Sequence, residues 1–264
     1  MLLGALSLLC VPLAAHDHWI TPASFHPDPN ERVDLRLCVG HPSQFEEQIR
    51  DPRHIKRFEV LGPAGAKPVP GVDGKSPAGI LRARDEGLHV LAFESDHAFV
   101  EIAPEKYEQY LEDEGLADVL AERARRGETA LPGRDSYARC DKAFVRVGAA
   151  EPTGWERSVG LTCELVPETD PFAWKTGDEL VLRLEFQGQP LADRQVKLMR
   201  LSAPFTITLA RTDEHGRAHF RPESAGGWVA SSVHQRRATP EQELEGDWDG
   251  WWASLAFELG TAAQ

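Results

Sequence analysis

The 264-residue chain carries 29 Lys and Arg against 42 Asp and Glu, a net charge of -13 at neutral pH, together with ten histidines and four cysteines. That balance argues against nucleic acid or an anionic membrane surface as a partner and suits the attraction of cations. Past the N-terminus no stretch is apolar enough to span a bilayer, so an integral membrane protein is excluded, and the length allows one large or two small domains.

Residues 1–15 contain no charge. Leu2, Leu3, Leu6, Leu8, Leu9, Val11 and Leu13 make a short apolar core that ends in Ala14-Ala15, just before the polar run His16-Asp17-His18. A membrane span needs about 20 apolar residues, so this segment reads as a signal peptide cleaved after Ala15. The mature protein is then expected in the periplasm, beginning at His16. Cys10 leaves with the leader and Cys38, Cys140 and Cys163 remain. An oxidising compartment favours one bridge with a thiol left over. Cys140 and Cys163, each in an apolar strand-like stretch, are the better pair; a bridge to Cys38 stays open.

Val33, Leu35, Leu37 and Val39 alternate with Asp34, Arg36 and Cys38, the pattern of a half-buried strand ending at Gly40. Strand-like runs follow at 57–61, 89–94 and 98–102, separated by Gly/Pro turns such as Gly62-Pro63-Ala64-Gly65. Short strands punctuated in this way predict an antiparallel, Ig-like sandwich. One segment, about 105–127, departs from it. Tyr107, Tyr110 and Leu111, then Leu116, Val119 and Leu120, recur at helical spacing, and Gly127 follows a basic cluster at Arg123, Arg125 and Arg126. Two short helices are expected here, packing an apolar stripe on the sheet with solvated charged faces.

Strand patterning returns at 137–148 and 161–166, and Pro167 to Pro171 reads as a hinge. Beyond it Leu180, Leu182, Leu184 and Phe186 alternate, followed by the turn Gly188-Gln189-Pro190-Leu191 and strands at 195–201 and 205–209. After the turn Asp213-Glu214-His215-Gly216 come strands at 218–220, 228–233 and 253–259. This order resembles transthyretin-like (prealbumin-like) sandwich modules. The expected fold is therefore all-β, with an N-terminal sandwich domain over 16–166 and a second over 172–260.

Cleavage after Ala15 creates the main chemical feature, an α-amine on His16 with a second imidazole at His18. Amine, two backbone nitrogens and the third-residue imidazole can wrap a square-planar Cu or Ni ion. Alternatively, amine and ring of His16 chelate a copper ion and a distant histidine completes the site. Candidates for that partner are His234, placed in a polar turn after a strand, His41, directly after Gly40, and His97, which brackets a strand with Glu101. Asp17, Asp247 and Asp249 are candidates to orient the rings. Trp248, Trp251 and Trp252 are expected to anchor the last strand. No phosphate loop, GxSxG elbow or HExxH helix is present.

Several segments carry a family resemblance over essentially the whole mature length. They are His16-Asp17-His18-Trp19-Ile20 with Pro22, Phe58 to Gly65, Lys106 to Leu116, Ser136 to Lys142, Glu164 to Pro167, Gly227-Trp228 with His234, and Asp247 to Phe257. Together they resemble the bacterial periplasmic family known as domain of unknown function 4198, often labelled a periplasmic component of cobalt or nickel uptake. The resemblance implies a nickel- or cobalt-linked role, with a membrane uptake transporter as partner. It carries over His16 and His234. His18, Cys140 and Asp141 depart from the family pattern. The expected function is a non-enzymatic accessory protein binding Ni, Co or Cu; the alternatives are a copper enzyme built on His16 and an envelope interaction module without metal.

Overall fold

The computed structural model describes residues 16–242 and 245–260, so the expected leader at 1–15 lies outside the described residues. The fold is all-β with one helical pair. In chain order the strands and helices are β1 (Asp17–Pro22), β2 (Val33–His41), β3 (Gln44–Gln48), β4 (Ile55–Gly62), β5 (Gly65–Pro68), β6 (Gly79–Leu81), β7 (Gly87–Ser95) and β8 (Ala98–Ile102), then α1 (Pro104–Asp113) and α2 (Ala117–Arg126). They continue with β9 (Gly133–Val147), β10 (Cys163–Pro167), β11 (Leu180–Phe186), β12 (Gln189–Pro190), β13 (Gln195–Arg200), β14 (Ile207–Arg211), β15 (Arg217–Phe220), β16 (Gly226–Arg237) and β17 (Trp248–Leu259).

The strands form three layers. A nine-stranded sheet occupies the middle, in the order β14-β13-β16-β17-β9-β7-β4-β5, with β8 also paired to β9. One of its faces is covered by β10, β11, β12 and β15. Between them lies a core to which Leu88, Phe144, Leu182, Leu184, Trp251 and Phe257 belong. The other face is shared. Part of it packs on the small sheet β1-β2-β3 with β6, burying Trp19, Ile20, Leu35, Phe93, Val145 and Ala256. The rest packs on the helical pair, through Tyr107, Tyr110, Leu111, Val233, Trp248 and Trp252. The three C-terminal tryptophans thus anchor β17 on both faces, because successive side chains of a strand point to opposite sides.

This layering differs from two sandwiches placed end to end. β17 pairs in parallel with β9 from Trp248↔Asp135 to Ala256↔Ala143, so both halves of the chain enter one sheet. The expected hinge at 167–171 is the connection between two hydrogen-bonded neighbours, since β10 pairs with β11 from Cys163↔Phe186 to Pro167↔Leu182. Proline-rich punctuation marks a break in pairing, and here that break lies within a sheet rather than between domains.

The helical insertion sits as its spacing predicts. Pro104 occupies the first turn of α1, where no backbone donor is lost, and α2 stops at Gly127 in the left-handed region (φ 69°). The expected solvated basic face needs one correction. Arg123 is buried, donates to Glu108 (2.6 Å) and to the carbonyls of Glu128 and Leu131, and lies over the Tyr107 ring. It ties the helix to the loop entering β9. No helix among the described residues is long and apolar enough to cross a membrane.

Candidate metal centre

Residues 16–18 are placed by strand pairing. β1 runs antiparallel to β2 with Asp17 opposite Gly40 and His18 opposite Val39. Carrying that register back by one residue sets His16 opposite His41, and their ring centroids are 5.9 Å apart in an edge-to-face arrangement. Gly40 makes this possible. Its φ of 130° is a conformation side chains rarely adopt, and a Cβ there would meet the Gln44 carbonyl oxygen at 2.6 Å. The β2–β3 turn can therefore close tightly, with His41 held at its edge and about half exposed.

Asp17 lies beneath this pair and is 1% exposed. Its Oδ1 accepts from Ser231 Oγ at 2.6 Å and pairs with Lys197 Nζ at 2.8 Å. Its Oδ2 is buried without a hydrogen bond and stands 3.8 Å from His41 Nδ1. Lys197 bridges onward to Glu114, the residue that ends α1, at 2.8 Å. Burial alone would lower the Lys197 pKa, but Asp17 and Glu114 outweigh it and raise it to about 12. Burial also pushes the Glu114 carboxyl upward, against the pull of Lys197. The ammonium is thus a fixed charge between two carboxyl groups, tying the helical pair to the N-terminal strand.

His18 is used differently. It is 4% exposed, and its Nδ1 lies 2.5 Å from Asp141 Oδ2, while Asp141 Oδ1 accepts from Ser254 Oγ at 2.8 Å. That hydrogen bond occupies Nδ1. The three-residue wrap is therefore not available to this strand. It requires the His18 ring and the backbone nitrogens of residues 17 and 18 around one ion, whereas β1 is extended against β2 and the ring is bound to Asp141.

His234 and His97 lie elsewhere. Val233 belongs to the core under the helices, whereas His234, the next residue, turns to the opposite face and packs on Phe186 at 4.6 Å. His16 lies on the side of the small sheet, so the expected pairing of His16 with His234 is not formed. The surroundings of His234 also disfavour a cation. Arg194 Nε donates to its Nδ1 at 3.2 Å, and burial followed by the Arg194 charge lowers its pKa to about 4. His97 Nε2 is 2.9 Å from the buried carboxylate of Asp249, next to Trp251. Of the expected orienting carboxylates, Asp17 faces His41 and Asp249 faces His97, while Asp247 lies by Arg134 and Arg237. The expected Cys140–Cys163 bridge is not formed either. Cys38, Cys140 and Cys163 are buried free thiols, and burial raises them, Cys38 to about 11 and Cys163 to about 12.

A family model described as Domain of unknown function (DUF4198) matches residues 13–236. The chain belongs to that family. The match takes in β1 to β3 and His16, His41 and His234 of this DUF4198 chain. No curated protein matches it. Among solved structures, the D0-D1 domain of intimin is 8% identical over 93% of this chain and 98% of that one, with a TM-score of 0.23. Dimeric latent PorU from Porphyromonas gingivalis is 8% identical over 98% of this chain and 21% of that one, with a TM-score of 0.21.

The geometry can be tested against a bound ion. Two imidazoles on one ion, each with a metal–nitrogen bond of about 2.0 Å, have ring centres at most roughly 6.5 Å apart. The 5.9 Å between His16 and His41 falls inside that span. A nitrogen and an oxygen on one ion stand roughly 3–4 Å apart, and His41 Nδ1 and Asp17 Oδ2 are 3.8 Å apart. These donors fit a borderline ion that accepts nitrogen and oxygen. Among the described residues no group of three or more His, Cys, Asp or Glu side chains is placed to hold a metal ion, so a site here needs the His16 α-amine as a further donor. Sequence spacing did not single out Lys197, Ser231 or Asp141. Their shared signal is a polar residue where an alternating strand calls for an apolar one, as at Asp141 before Ala143.

Proposed function

We propose that this DUF4198 chain is an exported periplasmic accessory protein that binds a transition metal ion, Ni, Co or Cu, at its mature N-terminus. The α-amine and ring of His16 supply a chelate, His41 supplies the second imidazole, and Asp17 supplies charge and an oxygen donor. The observation that carries this reading is the juxtaposition of His16 and His41 over the unbonded carboxylate oxygen of Asp17. The family resemblance points the same way, with an uptake transporter as the recipient of the ion. His41 takes the role for which the family resemblance, and a place after a strand, had favoured His234. The surrounding residues would hold and orient the ion. Lys197 fixes Asp17 in place, and the half-exposed His41 leaves the ion accessible for transfer.

The test uses protein with a free His16 amine, titrated with Cu(II) and with Ni(II) and followed by calorimetry and visible spectroscopy. His41→Ala is expected to weaken binding roughly tenfold or more, about 1.4 kcal/mol. One extra residue before His16 should do the same, and His234→Ala should leave affinity unchanged. If the extra residue and His41→Ala both bind as tightly as the parent, the assignment fails.

A further inference from the structure

We infer that the cavity between β4, β5, β7 and the chain leaving β6 binds a small phosphate monoester, held by Lys67, Arg82, Arg84 and His89. Its volume is about 310 Å³, close to the lower limit of small-molecule sites, roughly 300 Å³. The strand registers build its floor. Leu61 pairs with Val90 on β7, and Gly62 with Gly65 on β5. Continuing the first ladder by one residue sets Gly62 opposite His89, so the row across three strands reads His89, Gly62, Gly65. Two of these three positions have no side chain. A Cβ on Gly62 would lie 2.7 Å from His89 Nε2, and one on Gly65 would meet nothing within 4 Å. The His89 ring is 6% exposed, with Nδ1 3.3 Å from the Gly87 carbonyl oxygen. Its Nε2 edge faces the gap left by Gly62 and has no hydrogen-bond partner among the described residues. Burial lowers the His89 pKa, so the ring enters the site as a neutral hydrogen-bonding group.

The charges around this floor select the ligand. Lys67 pairs with Val60, two residues before Gly62, and so stands on the same face of the sheet. Leu81 and Ala83 pack on the core beside the small sheet, while Arg82 and Arg84 stay exposed at the cavity. Although the chain carries a net charge of -13, none of these three cations makes an ion pair among the described residues. Cations on the neighbouring strand do, since Lys56 pairs with Glu94 and Arg57 with Glu59. Asp85 is the one carboxyl group lining the cavity. Lys67 and Asp85 are near enough to His89 to push its proton affinity in opposite directions. Three cations against one carboxylate leave two positive charges, which match a phosphate monoester carrying roughly two negative ones. A monocarboxylate would leave one of them unmatched. The volume beyond the phosphate takes a short organic group against Val60, Leu81 and Ala83.

The experiment is calorimetric titration of the metal-free protein with glycerol 3-phosphate, and separately with inorganic phosphate and with glycerol. The ester is expected to bind one to one, inorganic phosphate more weakly, and glycerol not at all. Arg82→Gln/Arg84→Gln should weaken ester binding at least tenfold with an unchanged circular dichroism spectrum, since both side chains are exposed. Gly62→Ala should weaken it as well, by filling the space beside His89 Nε2. Lys106→Gln, which removes an exposed cation from α1, and His41→Ala, at the metal centre, should leave it unchanged. Absence of saturable binding by both the ester and inorganic phosphate overturns the proposal, as does equal affinity in the double arginine variant. Capture by phosphatidylglycerol vesicles without binding of the soluble ester assigns these cations to a membrane surface and overturns it too.

Discussion

Asp135, on β9 under the helical pair, is 3% exposed, and burial raises its pKa to about 7. In the unfolded chain an aspartate ionises near 4, so the folded state holds an extra proton between these values. The folded pKa is the higher one, which means this residue costs stability as pH rises from about 4 to 7, and the cost is complete above 7. Asp135→Asn should therefore stabilise the protein, by roughly 2–3 kcal/mol more at pH 8 than at pH 5. Urea unfolding of both proteins at the two pH values measures this, and an equal gain at both would refute it. At the same scale, His16 and His41 were each legible as candidates, but their pairing was not. His41 reaches His16 through the β1–β2 register, and β1 lacks the alternation that marks a strand. His234 misled for a related reason. A polar residue after Trp228–Val233 reads as a turn, whereas β16 continues to Arg237 and carries the ring to the other face of the sheet.

Among the elements, the helical pair is the part best read from spacing, since Tyr107, Tyr110, Leu111 and Val119 all reach the core. What spacing does not give is the surface that receives them. Gly133 opens β9, and a Cβ there would lie 2.1 Å from the Tyr107 ring. Gly133→Ala should thus destabilise the protein by about 3 kcal/mol, the upper range for overpacking. Gly127→Ala, where nothing lies within 4 Å, should cost only the left-handed strain of the helix end, about 1 kcal/mol. Thermal melts that rank the two in the opposite order would show that α1 does not pack on β9 as described. β14 gives the converse lesson. Its alternation identifies a strand correctly, yet alternation reports a face and does not say what covers it.

For the molecule as a whole, all-β architecture was legible in the turn punctuation, but the layering was not. Parallel pairing of β9 with β17 joins segments more than a hundred residues apart, and no local pattern encodes that choice. Phe144 and Leu182 lie in one core, and Trp19 and Ala256 in another, so each core draws on both halves of the chain. Unfolding should therefore be a single cooperative transition, with calorimetric and van't Hoff enthalpies in agreement. Two resolved transitions in scanning calorimetry would restore the picture of two separate sandwiches.

The position of β17 has a consequence in time as well as in space. Ser254 Oγ donates to Asp141 across 113 residues of sequence, and the strand that carries it is the last in chain order among the described residues. β9 has β7 available early, but its other long edge waits until residues 248–259 have emerged. Contacts so distant along the chain are slow to form. The growing chain is thus kept from closing its largest sheet until residues 248–259 have emerged, however early the strands on the other side of β9 have formed.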